Sequence, residues 1–205
     1  MQRRPFILGA PLVVAGCAGG QSVWAPDSAV SAAMFLGTGP KALTLYTMRN
    51  IGSGNGAHSS ILIDASQRVL FDPAGSFANA RIPERNDVLF GMSPPIEDYY
   101  VSYHARATYY VEGQRIAVSA DVAEQALRLA LAYGPVGQGS CTRAASAILG
   151  QLPGFESINS MLFPNALRNK VALLPDVELT EYRETDADDK SIAAAQIDAA
   201  LKSGQ

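Results

Sequence analysis

Histidine and cysteine are scarce in this sequence, with two of each among 205 residues, and tryptophan occurs once. Two cysteines cannot frame a disulfide-rich scaffold. Two histidines with two scattered cysteines lack the ligand spacing of a usual zinc site, so no metal is expected. Basic residues fall short of acidic ones, 16 against 19, for a net charge of −3. No basic stripe alternates with aromatics, which argues against nucleic acid as a partner. There is no Gly-Lys-Ser or Gly-Lys-Thr and hence no P-loop, and no Gly-x-Ser-x-Gly elbow of an α/β-hydrolase. The glycine-rich stretch Gly52-Ser-Gly-Asn-Gly56 leads into a strand pattern rather than a helix, so it fails as a dinucleotide fingerprint, and no cofactor is expected. No apolar run is long enough for a good membrane span. What is present is ordinary globular material: 48% hydrophobic and 17% charged residues, enough for one domain with a proper core.

The chain opens with Arg3-Arg4, an apolar run from Phe6 to Ala15, and then small residues. That order is a secretory signal. The segment Val14-Ala15-Gly16-Cys17 resembles a bacterial lipobox. The resemblance implies cleavage before Cys17 and a diacylglycerol, a palmitate-type lipid, on its sulfur. The partner is then a membrane, reached through the anchor. Ala18 favours the outer membrane, facing the periplasm, and Arg3-Arg4-Pro5-Phe6 resembles a twin-arginine export signal. The expected organisation is a signal peptide over 1–16, a lipidated N-terminus and flexible tether over 17–40, a single α+β domain over 41–180, and an acidic, alanine-rich, loosely attached tail over 181–205.

Within the domain, residues 42–48, 59–64 and 69–72 read as strands, the last two as a hairpin through Ala65-Ser-Gln-Arg68. Residues 77–93 read as irregular. Pro94-Pro95 opens a helix whose Ile96, Tyr99, Tyr100 and Tyr103 share one face. Residues 107–111 and 115–119 read as two strands around a turn at Glu112-Gly113-Gln114. Ser119 caps a helix to Tyr133, which Gly134-Pro135 stops. Cys141 to Leu149 is the next helix, and Pro164 begins another, to Val171.

Export leaves Cys141 as the one free thiol, in a compartment where idle thiols are liabilities. It opens a helix after Gly139-Ser140. There the helix dipole favours thiolate, and free backbone N–H groups can receive an oxyanion. A nucleophilic cysteine needs a base, usually histidine. His58 stands where the glycine-rich loop enters a strand, whereas His104 ends a tyrosine-rich helix and reads as a packing residue. Asp72, at the far side of the hairpin, can face His58 and orient its ring. Asp64 lies nearer the turn and away from it.

His58 in Gly-Ala-His-Ser-Ser-Ile-Leu-Ile-Asp, Asp72 in Val-Leu-Phe-Asp-Pro-Ala-Gly and Cys141 in Gly-Ser-Cys-Thr-Arg-Ala-Ala together resemble the circularly permuted papain-like hydrolases. These include relatives of the NlpC-type cell-wall amidases and the lecithin-retinol acyltransferase-like proteins. The resemblance spans roughly residues 42–175. It implies a small α+β fold with an antiparallel sheet packed on the helix that begins at the nucleophilic cysteine. The implied activity is a thiol hydrolase or acyltransferase acting on an amide or ester, with a cell-wall peptide or lipid-like substrate. The alternative is a non-catalytic envelope lipoprotein that keeps the fold as a binding module.

Overall fold

The computed structural model describes residues 20–203, so the expected signal peptide and Cys17 lie outside the described residues. The chain is α+β. Seven strands form one antiparallel sheet in the order β4-β5-β3-β2-β1-β6-β7. They are β1 Ala42–Asn50, β2 Gly56–Asp64, β3 Arg68–Phe71, β4 Glu84–Arg85, β5 Val88–Phe90, β6 Tyr109–Ala117 and β7 Glu178–Tyr182. Among the described residues six helices accompany them: α1 Asp27–Ala33, α2 Pro94–His104, α3 Ala120–Tyr133, α4 Cys141–Leu149, α5 Pro164–Val171 and α6 Lys190–Ser203.

Strand alternation sends successive side chains to opposite faces, and here both faces are covered. Leu43, Leu45, Ile61, Ile63, Val69 and Phe71 meet α3, α4 and α5 through Leu127, Ile148 and Leu167. The intervening Tyr46, Met48, Leu62 and Leu70 meet α2 and α6 through Tyr99, Tyr100 and Ile197. Because each central strand is covered on both sides, β1 is buried continuously from Ala42 to Met48, Thr44 and Thr47 included, rather than on alternate residues.

The expected hairpin is β2–β3, with Ile61 opposite Phe71 and Asp64 opposite Arg68. Ser119 caps α3 by accepting from Val122 N–H, and Pro94 stands in the first turn of α2, where a missing N–H is harmless. Four expectations need correction. First, Glu112-Gly113-Gln114 is not a turn; β6 is a single nine-residue strand. Gly113 faces Tyr46 across the β1–β6 pair, and a Cβ on it would lie 3.2 Å from the tyrosine ring. Glu112, 2% exposed, is neutralised by Arg49 from β1 and Arg168 from α5. A polar triplet thus sits in the interior because its partners come from elsewhere in the chain.

Second, residues 77–93 are not wholly irregular. β4 and β5 form a short hairpin whose turn places Asn86 at φ 45° and Asp87 at φ 66°, a left-handed pair suited to such a connection. Third, the acidic segment after Thr180 is docked rather than loose. β7 pairs with β6 along Glu178–Tyr182, Arg106 bonds Glu184 and Asp186, and Ala193 and Ile197 of α6 are buried beside α2. Fourth, the described part of the supposed tether lies against the body. Ala25 N–H donates to Glu84 O at 2.9 Å, Val23 O accepts from Asn86 N–H at 3.0 Å, and residues 27–33 form α1. Gly20 abuts the backbone of Val136, so closely that a methyl there would stand 2.4 Å from the Val136 carbonyl oxygen.

Candidate active site

His58 and Asp72 come together through the parity of the hairpin. Ile61 pairs with Phe71, so Asp72 falls opposite Ser60 and on the same face as Ser60 and His58. His58 Nε2 donates to Asp72 Oδ1 at 2.6 Å. Tyr100, from α2 on that face, places its hydroxyl 2.8 Å from Asp72 Oδ1 and 2.8 Å from Ser60 Oγ. Its single proton goes to the carboxylate, and Ser60 donates to the phenol oxygen. The chain then turns sharply through Pro73 and Ala74, the latter at φ 55°. Gly75 N–H donates back to Asp72 O at 3.0 Å. A Cβ on Gly75 would lie 1.9 Å from Asp72 Oδ2, so only glycine lets the turn close over the carboxylate. Asp64 is remote at the other end of the hairpin, paired with Arg68 and Lys41.

Cys141 is the first residue of α4, which packs on the opposite face of the sheet. The ladder between β2 and β3 ends at Ile61, so Ser59 has no β3 partner. The α4 N-terminus occupies that opening. Ser59 N–H donates to the Cys141 sulfur, Ser59 Oγ lies 3.3 Å from Thr142 Oγ1, and Thr142 Oγ1 lies 3.8 Å from Cys141 Sγ. The His58 ring acts on the sulfur through hydrogen bonding and charge, lowering the thiol pKa. With Nε2 committed to Asp72, Nδ1 is the nitrogen left for the thiol. Cys141 is free and only 8% exposed.

The electrostatics follow from this packing. Burial raises the Cys141 thiol, but the His58 hydrogen bond and charge, with Ser59 N–H and the Thr142 hydroxyl, bring it down to about 7. Burial pushes His58 toward the neutral form, yet the Asp72 charge and hydrogen bond and the adjacent Cys141 sulfur raise it to about 10. Burial also raises Asp72, but His58 first, with the Tyr100 hydroxyl, holds it below the usual carboxylate range. Near neutral pH the arrangement is therefore a thiolate beside an imidazolium that a carboxylate anchors.

Sequence reasoning set His104 aside as packing. It does pack, against Phe77, Tyr100 and Tyr103, and its ring also lies 6.2 Å from that of His58, inclined by 12°. Its Nδ1 lies 2.8 Å from Tyr100 O. A carbonyl only accepts, so Nδ1 carries the proton and Nε2 keeps a lone pair. Burial drives its pKa down to about 4, so it stays neutral. Both histidines line one cavity of about 270 Å³, together with Ala57, Gly75, Gln138 and Lys190. Gln138 also lines the adjoining groove that holds Gly20, Glu84 and Asp87. Tyr100, Ser59, Thr142, Gln138 and Lys190 were likewise missed. Only Tyr100 carried a signal, its place on the apolar face of α2.

No match to this chain is found among protein-family models, curated proteins or solved structures. Among the described residues no helix is long and apolar enough to cross a membrane.

Proposed function

We propose that this protein is an exported, lipid-anchored thiol hydrolase or acyltransferase of the permuted papain-like kind, with Cys141 as nucleophile, His58 as proton carrier and Asp72 as its orienter. The observation that carries the reading is the single array Asp72–His58–Cys141, assembled from a hairpin and a helix N-terminus.

In this reading the Cys141 thiolate attacks the carbonyl carbon of an amide or ester, and the electron pair of the carbonyl moves to oxygen. The first-turn N–H groups of α4 and the Gln138 carboxamide are the donors available for that oxyanion. Collapse expels the amine or alcohol, which takes the proton from His58, and leaves an S-acyl enzyme. Neutral His58 then removes a proton from water, or from an acceptor hydroxyl or amine. That nucleophile attacks the thioester, and the thiolate departs. Asp72 holds the ring in the required orientation throughout.

Envelope localisation, a lipid on Cys17 and twin-arginine export belong to the same proposal. They rest on Arg3-Arg4 and on Val14-Ala15-Gly16-Cys17. A cell-wall peptide or a lipid-like acyl donor suits that location.

An activated acetyl ester, p-nitrophenyl acetate, tests the chemistry without knowledge of the natural substrate. The expected result is a burst of nitrophenolate matched by an acetyl adduct on the Cys141 peptide, absent from Cys141→Ser and His58→Ala. An equal burst from Cys141→Ser, or no adduct on Cys141, refutes the enzyme and leaves the binding-module reading.

A further inference from the structure

Lys190 is the one ammonium on the wall of the cavity that His58 lines. It reaches that place because the segment before it is fixed at several points. Arg106 Nη1, on a side chain 2% exposed, donates to Glu184 Oε2 at 3.1 Å and to Asp186 Oδ2 at 3.2 Å. Ala107 N–H donates to Asp186 O at 2.9 Å and Thr108 N–H to Asp188 Oδ1 at 3.0 Å. α6 then starts at Lys190 and buries Ala193 and Ile197 beside α2. The segment is latched on both sides of the lysine.

The ammonium itself is only lightly held. Nζ donates to Ser76 Oγ at 3.2 Å and sits 4.6 Å above the Tyr103 ring. Among the described residues no carboxylate lies within ion-pairing distance of it. The Asp72 charge acts on Lys190 only at longer range, and that carboxylate is already engaged by His58 and Tyr100. The other polar wall of the cavity, His104, is neutral and offers an acceptor rather than a charge. A half-buried cation without a counter-ion, on the wall of the small cavity that His58 also lines, suits a ligand that brings its own negative charge.

We propose that Lys190 is a specificity-determining residue that selects acyl substrates carrying a carboxylate or other anionic group close to the reacting carbonyl. This rests on the reading of Cys141 as a reactive thiolate, and it names the substrate class of the same site.

Two small alkylating agents separate the two ideas. Iodoacetate and iodoacetamide each undergo displacement by the Cys141 thiolate, forming a carbon–sulfur bond as iodide leaves with the electron pair of the carbon–iodine bond. They differ mainly in charge. The ratio of their rates at the Cys141 peptide, measured near pH 7 in dilute buffer, should fall about two- to fivefold in Lys190→Met, the range of a partly exposed ion pair. It should hold in Lys190→Arg, and the wild-type ratio should shrink as salt is added. Lys190→Gln serves if Lys190→Met melts early. If both reagents modify Cys141 and neither Lys190→Met nor Lys190→Gln changes the ratio, the selection by Lys190 is wrong while the reactive thiol stands. If neither reagent modifies Cys141 in the wild type, both ideas fall.

Discussion

His58→Ala is the perturbation that tests the thiolate most directly. In the wild type the thiol titrates at about 7 because His58, joined by Ser59 N–H and the Thr142 hydroxyl, outweighs the effect of burial. Without the imidazolium, burial remains the largest influence, opposed only by Ser59 N–H and the Thr142 hydroxyl. The midpoint should therefore rise to the ordinary thiol value of ~8.5 or above. At pH 6 a thiol titrating at about 7 is roughly one-tenth thiolate, against roughly 0.3% for a thiol at ~8.5, a ratio of about 30. The lower-pKa sulfur is intrinsically the weaker nucleophile, by about fivefold over such a gap. The net expectation is alkylation about sixfold slower in His58→Ala at pH 6, with the two proteins crossing near pH ~8 and the variant about fivefold faster by pH ~10. The assay is the initial rate of iodoacetamide addition to the Cys141 peptide, followed by mass spectrometry from pH 5 to pH 10. A wild-type midpoint at or above ~8.5, or a midpoint unmoved by His58→Ala, refutes the coupling of the two groups.

Three further outcomes are expected. Gly75→Ala forces a methyl against Asp72 Oδ2, so it should cost about 1–3 kcal/mol in urea denaturation and raise the alkylation midpoint; unchanged stability with an unchanged midpoint would contradict the closed turn. Tyr100→Phe takes a donor from Asp72 and an acceptor from Ser60 and should cost about 1–3 kcal/mol, read by the same denaturation. Ile197→Ala, at a site 4% exposed, should cost about 2–5 kcal/mol and increase hydrogen exchange in 183–203; a loss below ~0.5 kcal/mol would mean that α6 is not packed as described.

The part of the site that lies within one hairpin could be read from spacing alone. With the turn centred on Ser66, the two-residue period puts His58, Ser60 and Asp72 on one face, whereas a slip of one residue would send Asp72 to the other. The start of α4 at Cys141 was marked by the glycine and serine before it. The sheet as a whole was less legible because its polar interior is satisfied over long separations. Glu112 finds Arg49 63 residues away and Arg168 56 residues away, and without those partners Glu-Gly-Gln has the composition of a turn. α6 was missed as a packed element because few of its apolar side chains, among them Ala193 and Ile197, are buried, within a segment whose flank is acidic. His104 gave no local sign either. Its role depends on α2 lying across β2, so that two rings far apart in sequence stack.

The seating of Gly20 against Val136 gives the N-terminus a spatial address. Gly20 is three residues on from Cys17, a length of chain that reaches at most about 10 Å. Val136 in turn begins the loop that ends at Cys141. A lipid on Cys17 would therefore do more than retain the protein at a membrane. In the proposed reading it would hold the Cys141 sulfur close to the bilayer surface, with no long leash on which to range outward. Encounters would then be governed by lateral diffusion within the leaflet, favouring acyl donors that are themselves embedded there or lie flat upon it.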